Sequence, residues 1–431
     1  MSVKFSKDQV DAVDGICNTL LDPNIKTHTI AVLTGSAGTG KTTVVAEIIN
    51  QIKLRSSFAN IELCATTNRA AIVLENITGR VVTTGHALFK LRPTVTKYGK
   101  EALKRISGCN IINNSVVIID EASMIGNQFL QAIVETVKER KLKLLFVGDP
   151  FQLPPPTDIC SIFDGSLPTF TLTQVHRQLG GNPVLEKANE FREYIEGIRN
   201  IEPTLKTDIN SKGEGIHVLP HADFITKFVQ KYINYSTGAE IDAPMCTYTN
   251  ESSINYNNMV RKSAYFLEDT IEPFYPGERL ITNNVVIQED KTILTNNEIV
   301  HVNDYQDGEL YNIPGYYVNL KGNYNEYTKS NKKTVFSPKT KSIADKILNE
   351  HKKEALLTKS TKDWQYYYKV KNSLADLRPP FAGTTHKAQG GTFPAIFIDK
   401  TNIDKCRNRA TRARLFYVAL TRASENVYIN S

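Results

Sequence analysis

The sequence predicts an α/β fold built on parallel β-sheets that are covered by helices on both faces. Over residues 1–150, short apolar runs alternate with helical stretches, and near-continuous apolar runs are typical of strands buried on both faces. Each run ends directly in polar or glycine-rich sequence, and open α/β sheets bind ligands at the carboxyl ends of their strands. The predicted strands are HTIAVL (28–33), IELCA (61–65), SVVIID (115–120) and KLLFVGD (143–149).

The composition indicates a folded protein of several domains. The 431 residues exceed one ordinary core, and 41% are hydrophobic while 23% are charged. The net charge of +7 suits a polyanionic partner but does not establish one. The six cysteines form no CxxC pair, so a zinc ribbon, a redox pair and a disulfide framework are not expected. Because no signal-like or membrane-spanning apolar run occurs, we expect an intracellular protein without a membrane span.

A change of composition divides the chain into parts. The α/β pattern resumes beyond residue 170, with strands predicted at APMCTYTN (243–250) and AIFIDK (395–400). The residues between are rich in Tyr, Asn, Lys and Thr, with β-like pieces and a basic segment, TKSNKKTVFSPKTKS (328–342), that we expect to be mobile. The predicted parts are a first domain (1–170) with an insertion (87–112), a discontinuous second domain (171–263 and 381–431) and a β-rich module (264–380).

The segment GSAGTGKT (35–42) predicts a nucleotide site. It matches the P-loop pattern GxxxxGK[ST] and lies between a strand and a helical run, the context that confirms such a loop. Its glycines let backbone N–H groups face phosphate oxygens, so we expect ATP with Lys41 on the β/γ-phosphates and Thr42 on Mg²⁺. A helix-capping role for Thr42 is an alternative. The predicted nucleotide contacts are Gly35, Ser36, Ala37, Gly38, Thr39, Gly40, Lys41, Thr42 and Thr43.

Two acids and a glutamine complete this prediction. Asp120 closes an apolar strand, where a carboxylate can hold Mg²⁺, and Glu121 beside it can polarise a hydrolytic water. The alternative is a solvated acidic pair at the start of a helix. Gln9 completes the capping-box pattern that Ser6 begins, and it is also placed to contact adenine just upstream of the P-loop.

An ordered set of segments carries a family resemblance. The set is TGSAGTGKTT, ATTNRAA, TTGHALF, IIDEAS, GDPFQLPP, LTQVHRQ, TTHKAQGGT and LFYVALTRA. It resembles superfamily-one DNA helicases of the RecD-like branch, and most closely the Dda helicases of T-even phages. The resemblance extends from about residue 5 to residue 427 and excludes much of the β-rich module. It implies two RecA-like domains with ATP between them, an SH3-like module and 5′→3′ movement. Thr66 departs from the pattern, because relatives usually have proline there.

The resemblance also implies catalytic residues beyond the P-loop. Arg177 and Arg422 match the arginines that the second domain supplies to the γ-phosphate, where they stabilise transition-state charge only when the cleft closes. The alternative for both is a surface arginine. Gln152 matches a residue that senses the γ-phosphate or orients water, with an ordinary loop glutamine as its alternative. Gly390 is expected to lie near the nucleotide.

The remaining segments predict contacts with DNA. Small hydroxyl, amide and backbone donors at strand ends position a phosphate backbone without reading sequence, and aromatic side chains can stack on bases. His86 and Phe151 have core packing as their alternative. The predicted DNA contacts are Thr66, Thr67, Asn68, Arg69, Thr84, His86, Tyr98, Phe151, Thr384, Thr385, His386, Lys387 and Gln389.

The stretch LRPTVTKYGKEALKRISG (91–108) is expected to form a small β-hairpin with a strand over 94–98 and a turn at Gly99. In similar helicases a pin at this place splits the duplex, and Tyr98 would then stack at its tip. A basic loop is the competing interpretation.

The predicted function is an ATP-dependent 5′→3′ DNA helicase and single-stranded-DNA translocase acting in replication, recombination or repair. We expect a monomer in the cytoplasm, the host cytoplasm if the chain is phage-encoded. Its expected partners are single-stranded DNA, tailed or forked duplexes, and single-strand-binding or other replication proteins. Two other hypotheses stay open: a translocase that displaces proteins with little unwinding, and a nucleotide-dependent DNA-binding protein. A P-loop small-molecule kinase fits less well, since it does not need TTHKAQGGT or paired arginines.

Overall fold

Two six-stranded sheets and one five-stranded sheet organise the protein, and two further strand pairs form separate hairpins. The computed structural model describes residues 5–95, 101–105, 109–155, 160–174, 181–233, 241–264, 272–289, 291–322 and 332–431. Within these ranges, no helix combines the length and the apolar character needed to span a membrane.

The N-terminal part of the chain forms the first sheet. Its elements are α1 (Lys7–Leu20), β1 (Thr29–Gly35), α2 (Lys41–Arg55), β2 (Ile61–Ala65), α3 (Asn68–Thr78), β3 (Thr83–Thr84), α4 (Gly85–Leu88), β4 (Leu91–Val95), β5 (Glu101–Arg105), β6 (Val116–Asp120), a 3₁₀ turn (Ala122–Met124), α5 (Asn127–Glu139), β7 (Lys143–Gly148) and β8 (Thr169–Leu172). The strand order is β3-β2-β6-β7-β1-β8, and every pairing is parallel. The four predicted strands are β1, β2, β6 and β7, so the parallel α/β prediction is confirmed for this sheet.

Both faces of the first sheet are buried, as the apolar runs predict. Along β1, Ala31 and Leu33 belong to one apolar cluster, while Val32 belongs to the cluster on the other face. This follows from the alternation of side chains along a strand. Helix α2 contributes Val44 to the first cluster and α5 contributes Ile133 to the second. Covered on both faces, the sheet is open to ligands only at its edges.

Strands β4 and β5 form the expected hairpin of the inserted segment. They pair antiparallel from Leu91 with Arg105 to Val95 with Glu101. The Arg105 guanidinium donates to Glu139 and Thr136, which fixes the hairpin on α5. Tyr98, the proposed stacking residue, lies outside the described residues.

The next part of the chain begins a second sheet. Its elements are α6 (Pro183–Glu196), β9 (Asp208–Ile209), β10 (Gly215–Leu219), α7 (His221–Lys231), β11 (Met245–Thr247) and α8 (Asn250–Ala264). Asn182 caps α6 by accepting from the N–H of Val184, and its amide donates to the carbonyls of Ser424 and Glu425 near the C-terminus. These bonds join the start of this part of the chain to its last part.

A β-rich module follows, as predicted. Its elements are β12 (Arg279–Thr282), β13 (Val286–Gln288), β14 (Lys291–Leu294), β15 (Ile299–Leu310), β16 (Ile313–Gly322), β17 (Lys332–Pro338), α9 (Lys341–Thr358), α10 (Thr361–Ser373) and β18 (Leu377–Arg378). The sheet order is β17-β16-β15-β12-β18, with antiparallel pairing throughout. The SH3-like classification of this module stays a prediction.

The helical pair α9 and α10 was not predicted, and the expectation of a mobile basic segment was wrong over its described part. Residues 332–338 form β17, and α9 begins at Lys341. Ala344 and Ala355 of α9 are buried, and Ile347 and Leu348 pack partly buried beside Ala344, so the helix carries apolar residues at helical spacing that sequence reasoning did not single out. Its stability comes from packing on its neighbours rather than from its own sequence.

The last part of the chain completes the second sheet. Its elements are β19 (Ala382–Thr384), α11 (Thr385–Ala388), β20 (Phe393–Ile398), α12 (Lys400–Ile403), α13 (Arg409–Thr421) and β21 (Ala423–Asn430). The strand order is β19-β11-β20-β21-β10-β9, parallel except for the β9–β10 pair. Strands from both sides of the β-rich module therefore share one sheet.

A buried ion pair joins α8 to the β-rich module and generates a stability prediction. The guanidinium of Arg261 forms two bonds with the carboxylate of Glu278, at 2.8 and 3.0 Å, and both side chains are buried. Arg261→Ala leaves that carboxylate buried without its partner, so we expect a loss of about 3–5 kcal/mol in the free energy of unfolding, measured by urea denaturation. Arg55→Ala, which removes the exposed pair with Asp14, is the matched control and should cost about 0–1 kcal/mol. Equal effects would contradict the prediction.

Candidate functional site

The P-loop lies where the sequence predicts it, between β1 and α2. Gly38 and Gly40 have φ angles of 85° and 79°, which favour glycine. A Cβ on Gly40 would also lie 2.7 Å from the side-chain nitrogen of Gln9. The Lys41 ammonium donates to the carbonyls of Gly35, at 2.8 Å, and Ser36, at 3.1 Å. The lysine is thus held inside its own loop by contacts that phosphate oxygens can replace.

Hydroxyl groups fix the shape of the loop. The Thr39 hydroxyl is buried and donates to the Ser36 carbonyl at 2.9 Å. The Ser36 hydroxyl is buried without a hydrogen-bond partner among the described residues. Thr42 and Thr43 are half-buried in the first turn of α2. The loop therefore combines a fixed backbone with a side-chain donor that is available to a ligand.

Gln9 takes its structural role and adds a second one. Its side-chain oxygen accepts from the Ser6 N–H at 3.0 Å, which is the predicted capping box. Its side-chain nitrogen donates to the Thr39 carbonyl at 3.0 Å, so the amide also supports the P-loop. A contact with adenine stays a prediction, and the second N–H and the second lone pair of the amide remain for it.

The two acids at the end of β6 lie in a buried, charged setting. Burial raises the pKa of the Asp120 carboxyl, the neighbouring Glu121 raises it further, and Lys41 opposes both. Glu121 adopts a left-handed backbone (φ 53°), and its Oε2 is buried without a partner among the described residues. Such an orphaned carboxylate oxygen indicates a missing polar partner, such as a water molecule.

The donors present fit Mg²⁺. Asp120 and Thr42 offer the oxygen ligands that this ion prefers, and a magnesium ion near Asp120 would favour its ionised form. No three His, Cys, Asp or Glu side chains of the described ranges cluster as a metal site.

Helix α13 of the second sheet crosses to the nucleotide side of the first. The Tyr417 hydroxyl donates to Asp149 at 2.6 Å and accepts from the N–H of Ala37 at 3.2 Å. The Arg414 guanidinium donates to the carbonyls of Pro150, at 2.7 Å, and Gln152, at 2.8 Å. Sequence reasoning did not single out Tyr417, which lies within the segment LFYVALTRA (415–423), or Arg414, which immediately precedes that segment. Their position in or beside this segment was the only signal available.

Arg422 is buried on its own side of the cleft. Its guanidinium donates to the carbonyls of Gly391 and Val418, at 3.1 and 3.2 Å, and to the Thr421 hydroxyl at 3.0 Å. The surface-arginine alternative is wrong, because the side chain is 6% exposed. A contact with the γ-phosphate stays a prediction. Arg177 lies outside the described residues.

Three predicted site residues instead form contacts between the two sheets. Gln389 is buried and its side-chain nitrogen donates to the Leu153 carbonyl at 3.1 Å and to Gln152 at 3.3 Å, so the structure does not support a DNA contact. Phe151 packs against the apolar cluster of the second sheet, which agrees with the alternative of core packing and opposes base stacking. A Cβ on Gly390 would lie 3.3 Å from Ala70 of α3, so its nearest neighbour there belongs to α3 and not to the P-loop.

Several of the predicted DNA contacts line one cavity of about 1310 Å³ between the two sheets and the β-rich module. They are Asn68, Arg69, Thr84, Thr384 and Lys387. The lining also includes cations that sequence reasoning missed, because their positions in the chain are scattered. They are Arg279, Lys321, Lys333 and Arg378. The acids Asp242 and Glu298 partly offset this charge, and the remaining excess is positive.

Two of these residues bridge the walls of the cavity. The Asn68 amide donates to the hydroxyl of Thr295, at 2.8 Å, and to the carbonyl of Asn296, at 2.7 Å, in the β-rich module. The guanidinium of Arg69 lies 4.1 Å from the ring centroid of Phe393 in the second sheet. All three sheet units therefore contribute to this cavity and contact one another around it.

Other predicted DNA contacts have structural duties. Thr67 caps α3 by accepting from the Ala70 N–H, and the Thr385 hydroxyl is buried on the Thr247 carbonyl. The Thr385 side chain is fully buried, so its hydroxyl is not exposed in this structure, and a DNA contact at this residue stays a prediction.

His86 is exposed and stacks on Phe129 with ring centroids 4.2 Å apart, so it is not the buried core histidine of the alternative. Burial lowers the pKa of His386, which favours a neutral ring. The Thr66 hydroxyl donates to the Glu121 carbonyl at 3.1 Å, a bond that proline cannot make.

Comparisons with known proteins agree with this arrangement. Residues 23–158 match the AAA domain family, and residues 380–430 match the UvrD-like helicase C-terminal domain family. The chain is 22% identical to the ATP-dependent DNA helicase dda of Enterobacteria phage T4, over 94% of each chain. It is 32% identical to the ATP-dependent RecD2 DNA helicase of Deinococcus radiodurans, over 38% of this chain and 21% of the relative.

Two further similarities extend over nearly the whole chain. An uncharacterised protein of Acanthamoeba polyphaga mimivirus is 23% identical over 94% of this chain and 96% of its own length. Pif1 helicase from Bacteroides is 17% identical, with a TM-score of 0.46 over 100% of this chain and 93% of that one. The matches to helicase domains and to helicase sequences confirm the resemblance predicted from the motifs.

The setting of Lys387 generates a pH prediction. Burial lowers the pKa of its ammonium to about 8, and Arg378 lowers it as well. Only the protonated form attracts phosphate, so affinity for a single-stranded oligonucleotide should fall about tenfold as pH rises from about 7 to about 9 at constant ionic strength, measured by fluorescence anisotropy. Lys387→Arg should flatten this dependence, whereas Lys53→Arg, at an exposed site, should not. An unchanged pH profile in Lys387→Arg would refute the assignment.

Proposed function

We propose that this chain, a superfamily-one helicase of the RecD-like branch, uses ATP to move 5′→3′ along single-stranded DNA and to separate the duplex ahead. One observation carries the proposal: the first sheet has the P-loop at the end of β1 and the cavity with basic lining at the ends of β2 and β3. The second sheet contacts both places, through α13 at the P-loop and through Lys387 at the cavity. A relative shift of the two sheets therefore changes both sites together.

We assign the parts of the chain to this motor as follows. The two RecA-like domains comprise 1–170 and the discontinuous pair 171–263 and 381–431. The β-rich module (264–380) closes the third side of the cavity, and the hairpin within 87–112 is the candidate pin. Support comes from the pairing of β19 with β11 across the module and from the β4–β5 pairing. We also propose that the protein acts as a monomer, with single-stranded DNA as its track, and that it works in a host cytoplasm, a location that its viral relatives support.

ATP hydrolysis is assigned to residues around the P-loop. Lys41 exchanges its bonds with two loop carbonyls for bonds with phosphate oxygens. Asp120 and Thr42 would hold Mg²⁺, which would neutralise negative charge on the phosphates when bound. Glu121 directs its unpartnered carboxylate oxygen at the attacking water.

Arg422 couples ATP hydrolysis to the movement of the second sheet. To reach the γ-phosphate, Arg422 must leave the carbonyls of Gly391 and Val418. That exchange stabilises the transition state only when the cleft is closed, so turnover depends on the position of the second sheet. Gln152, held by Gln389 across the same cleft, is placed to sense this closure.

DNA contacts in the cavity are assigned to the phosphate backbone. Hydroxyls of Thr84 and Thr384 and the ammonium of Lys387 are donors that hold phosphates without reading bases, and the amide of Asn68 joins them when it exchanges its bonds with Thr295 and Asn296. Movement without sequence preference requires this kind of contact.

Duplexes with a 5′ tail, a 3′ tail or no tail test the proposal directly. We expect unwinding of the 5′-tailed duplex only, because the strand must enter the cavity with one polarity before the motor can move. Lys41→Ala should abolish DNA-stimulated ATP hydrolysis and unwinding while single-stranded DNA binding stays within about twofold of wild type, since Lys41 lies away from the cavity lining. Preference for a 3′ tail, or substantial ATPase in Lys41→Ala, would refute the proposal.

Arg422→Ala tests the coupling across the cleft. We expect kcat for DNA-stimulated ATP hydrolysis to fall by about 10³-fold or more, the scale of a lost arginine finger, with a smaller change in ATP affinity. Arg409→Ala, at an exposed position at the start of the same helix, is the matched control and should keep near-normal kcat. If Arg422→Ala also kept near-normal kcat, the arginine would serve only the packing of its own domain.

A further inference from the structure

Tyr417 occupies a position that none of the roles above explains. Its ring is buried in the apolar cluster of the second sheet, while its hydroxyl lies in the cleft between the P-loop and the loop after β7. The hydroxyl is 2.6 Å from Asp149 and 3.2 Å from the backbone nitrogen of Ala37. One side chain of α13 therefore links both nucleotide-facing loops of the first sheet.

The hydrogen bonds of this hydroxyl have a defined direction. Burial raises the pKa of the Tyr417 phenol well above its usual range, and the negative charge of Asp149 raises it further, so the phenol keeps its proton. It donates that proton to Asp149 and accepts from the N–H of Ala37 through a lone pair. The other carboxylate oxygen of Asp149 accepts from the Phe151 N–H at 3.0 Å, which holds the carboxylate in place.

The contact with Ala37 uses a donor that the P-loop needs. Backbone N–H groups of such a loop bind phosphate oxygens, and a phenol and a phosphate cannot both accept from this N–H in the same position. Gln9 supports the opposite end of the loop, at Thr39 and Gly40. The Ala37 end of the loop therefore lies next to the second sheet. In the proposed function, the γ-phosphate is the part of ATP that lies on this side.

We propose that Tyr417 positions the cleft according to the nucleotide phosphates: it holds the Ala37 N–H in the absence of a γ-phosphate and yields that donor to the γ-phosphate of ATP. This inference rests on the ATP site of the proposed function and adds a residue that distinguishes ATP from ADP. After the exchange, the Tyr417 hydroxyl moves away from the P-loop and keeps its bond to Asp149. Helix α13 therefore stays attached to the first sheet.

The helix that carries Tyr417 transmits this exchange. Arg414, one turn earlier, grips the carbonyls of Pro150 and Gln152. Arg422, just beyond the end of α13, donates to the carbonyl of Val418, the residue next to Tyr417. A shift of Tyr417 therefore moves the turn that anchors Arg422, and that anchoring must loosen before Arg422 can reach the nucleotide.

Tyr417→Phe removes the hydroxyl and keeps the ring, so it tests the proposal directly. Binding of a non-hydrolysable ATP analogue and of ADP is measured without DNA by calorimetry. Because the analogue no longer displaces the phenol from Ala37, its affinity should rise about two- to tenfold, the scale of one hydrogen bond, while the affinity for ADP stays unchanged. DNA-free ATP hydrolysis should rise, and the factor by which DNA stimulates hydrolysis should fall.

Tyr256→Phe is the matched control. Tyr256 is also buried, and its hydroxyl donates to the carboxylate of Asp399 at 3.1 Å, within the second sheet. This variant loses the same kind of bond, but within the second sheet and not at the P-loop. It should therefore leave the ratio of analogue to ADP affinity unchanged. If Tyr417→Phe does not fold, Asp149→Asn keeps the volume and weakens the hold on the phenol, and the affinity ratio should shift in the same direction.

Each outcome decides the question. A shift in the analogue-to-ADP ratio in Tyr417→Phe, absent in Tyr256→Phe, supports the proposal. Equal shifts for both nucleotides, or no shift for either, overturn it and leave Tyr417 with a packing role. If the wild-type protein binds neither nucleotide, the proposed function itself fails, and this result is distinct from an unchanged ratio.

Discussion

The parallel pairing of the strands is the constraint on which the rest of this structure depends. Parallel strands joined by helices bring all strand-to-helix loops to one edge of a sheet, whatever their separation along the chain. In the first sheet this edge collects the P-loop after β1, Asp120 at the end of β6, Asp149 after β7 and Asn68 after β2. The order β3-β2-β6-β7-β1-β8 then places the phosphate loop toward one side and the cavity toward the other, with the acids between them. One edge therefore carries both the proposed nucleotide site and the proposed DNA site.

Hydrogen bonds make up several of the contacts between the two sheets at this edge, beside the apolar packing of Phe151 and Leu153 on the second sheet. Gln389 reaches Gln152, and Arg414 and Tyr417 reach the loop after β7 and the P-loop, mostly through backbone carbonyls and N–H groups. A net hydrogen bond contributes only about 0.5–1.5 kcal/mol, so each can be exchanged for a bond to phosphate or water at little cost. A continuous apolar interface would instead fix the sheets in one relation. The hydrogen bonds across the cleft thus fix the relative position of the two sheets and still allow that position to change.

Burial changes the protonation of two charged groups in these sites. It raises the pKa of the Asp120 carboxyl, while the Lys41 ammonium donates to carbonyls of its own loop. At the cavity, burial lowers the pKa of the Lys387 ammonium to about 8, so a bound phosphate would favour its protonated form. Buried groups such as Asp120 and Lys387 therefore interact more strongly with a charged ligand than exposed side chains would, because the ligand provides the electrostatic stabilisation that water does not provide there.

The sequence by itself determined the four strands of the first sheet, the P-loop and the acids after β6, because apolar runs, glycines and strand-end polar residues are local signals. It also determined that a β-rich module interrupts the second α/β unit. Sequence reasoning did not identify α9, whose first residues belong to a strongly basic stretch, or the cation set around the cavity, whose members are scattered along the chain. Gln389 and Phe151 were assigned to DNA from their motifs, and the structure places them between the sheets. Tertiary structure alone decided the contact of Tyr417 with Asp149, since these residues are 268 positions apart and no local pattern records which side chain will cross a cleft.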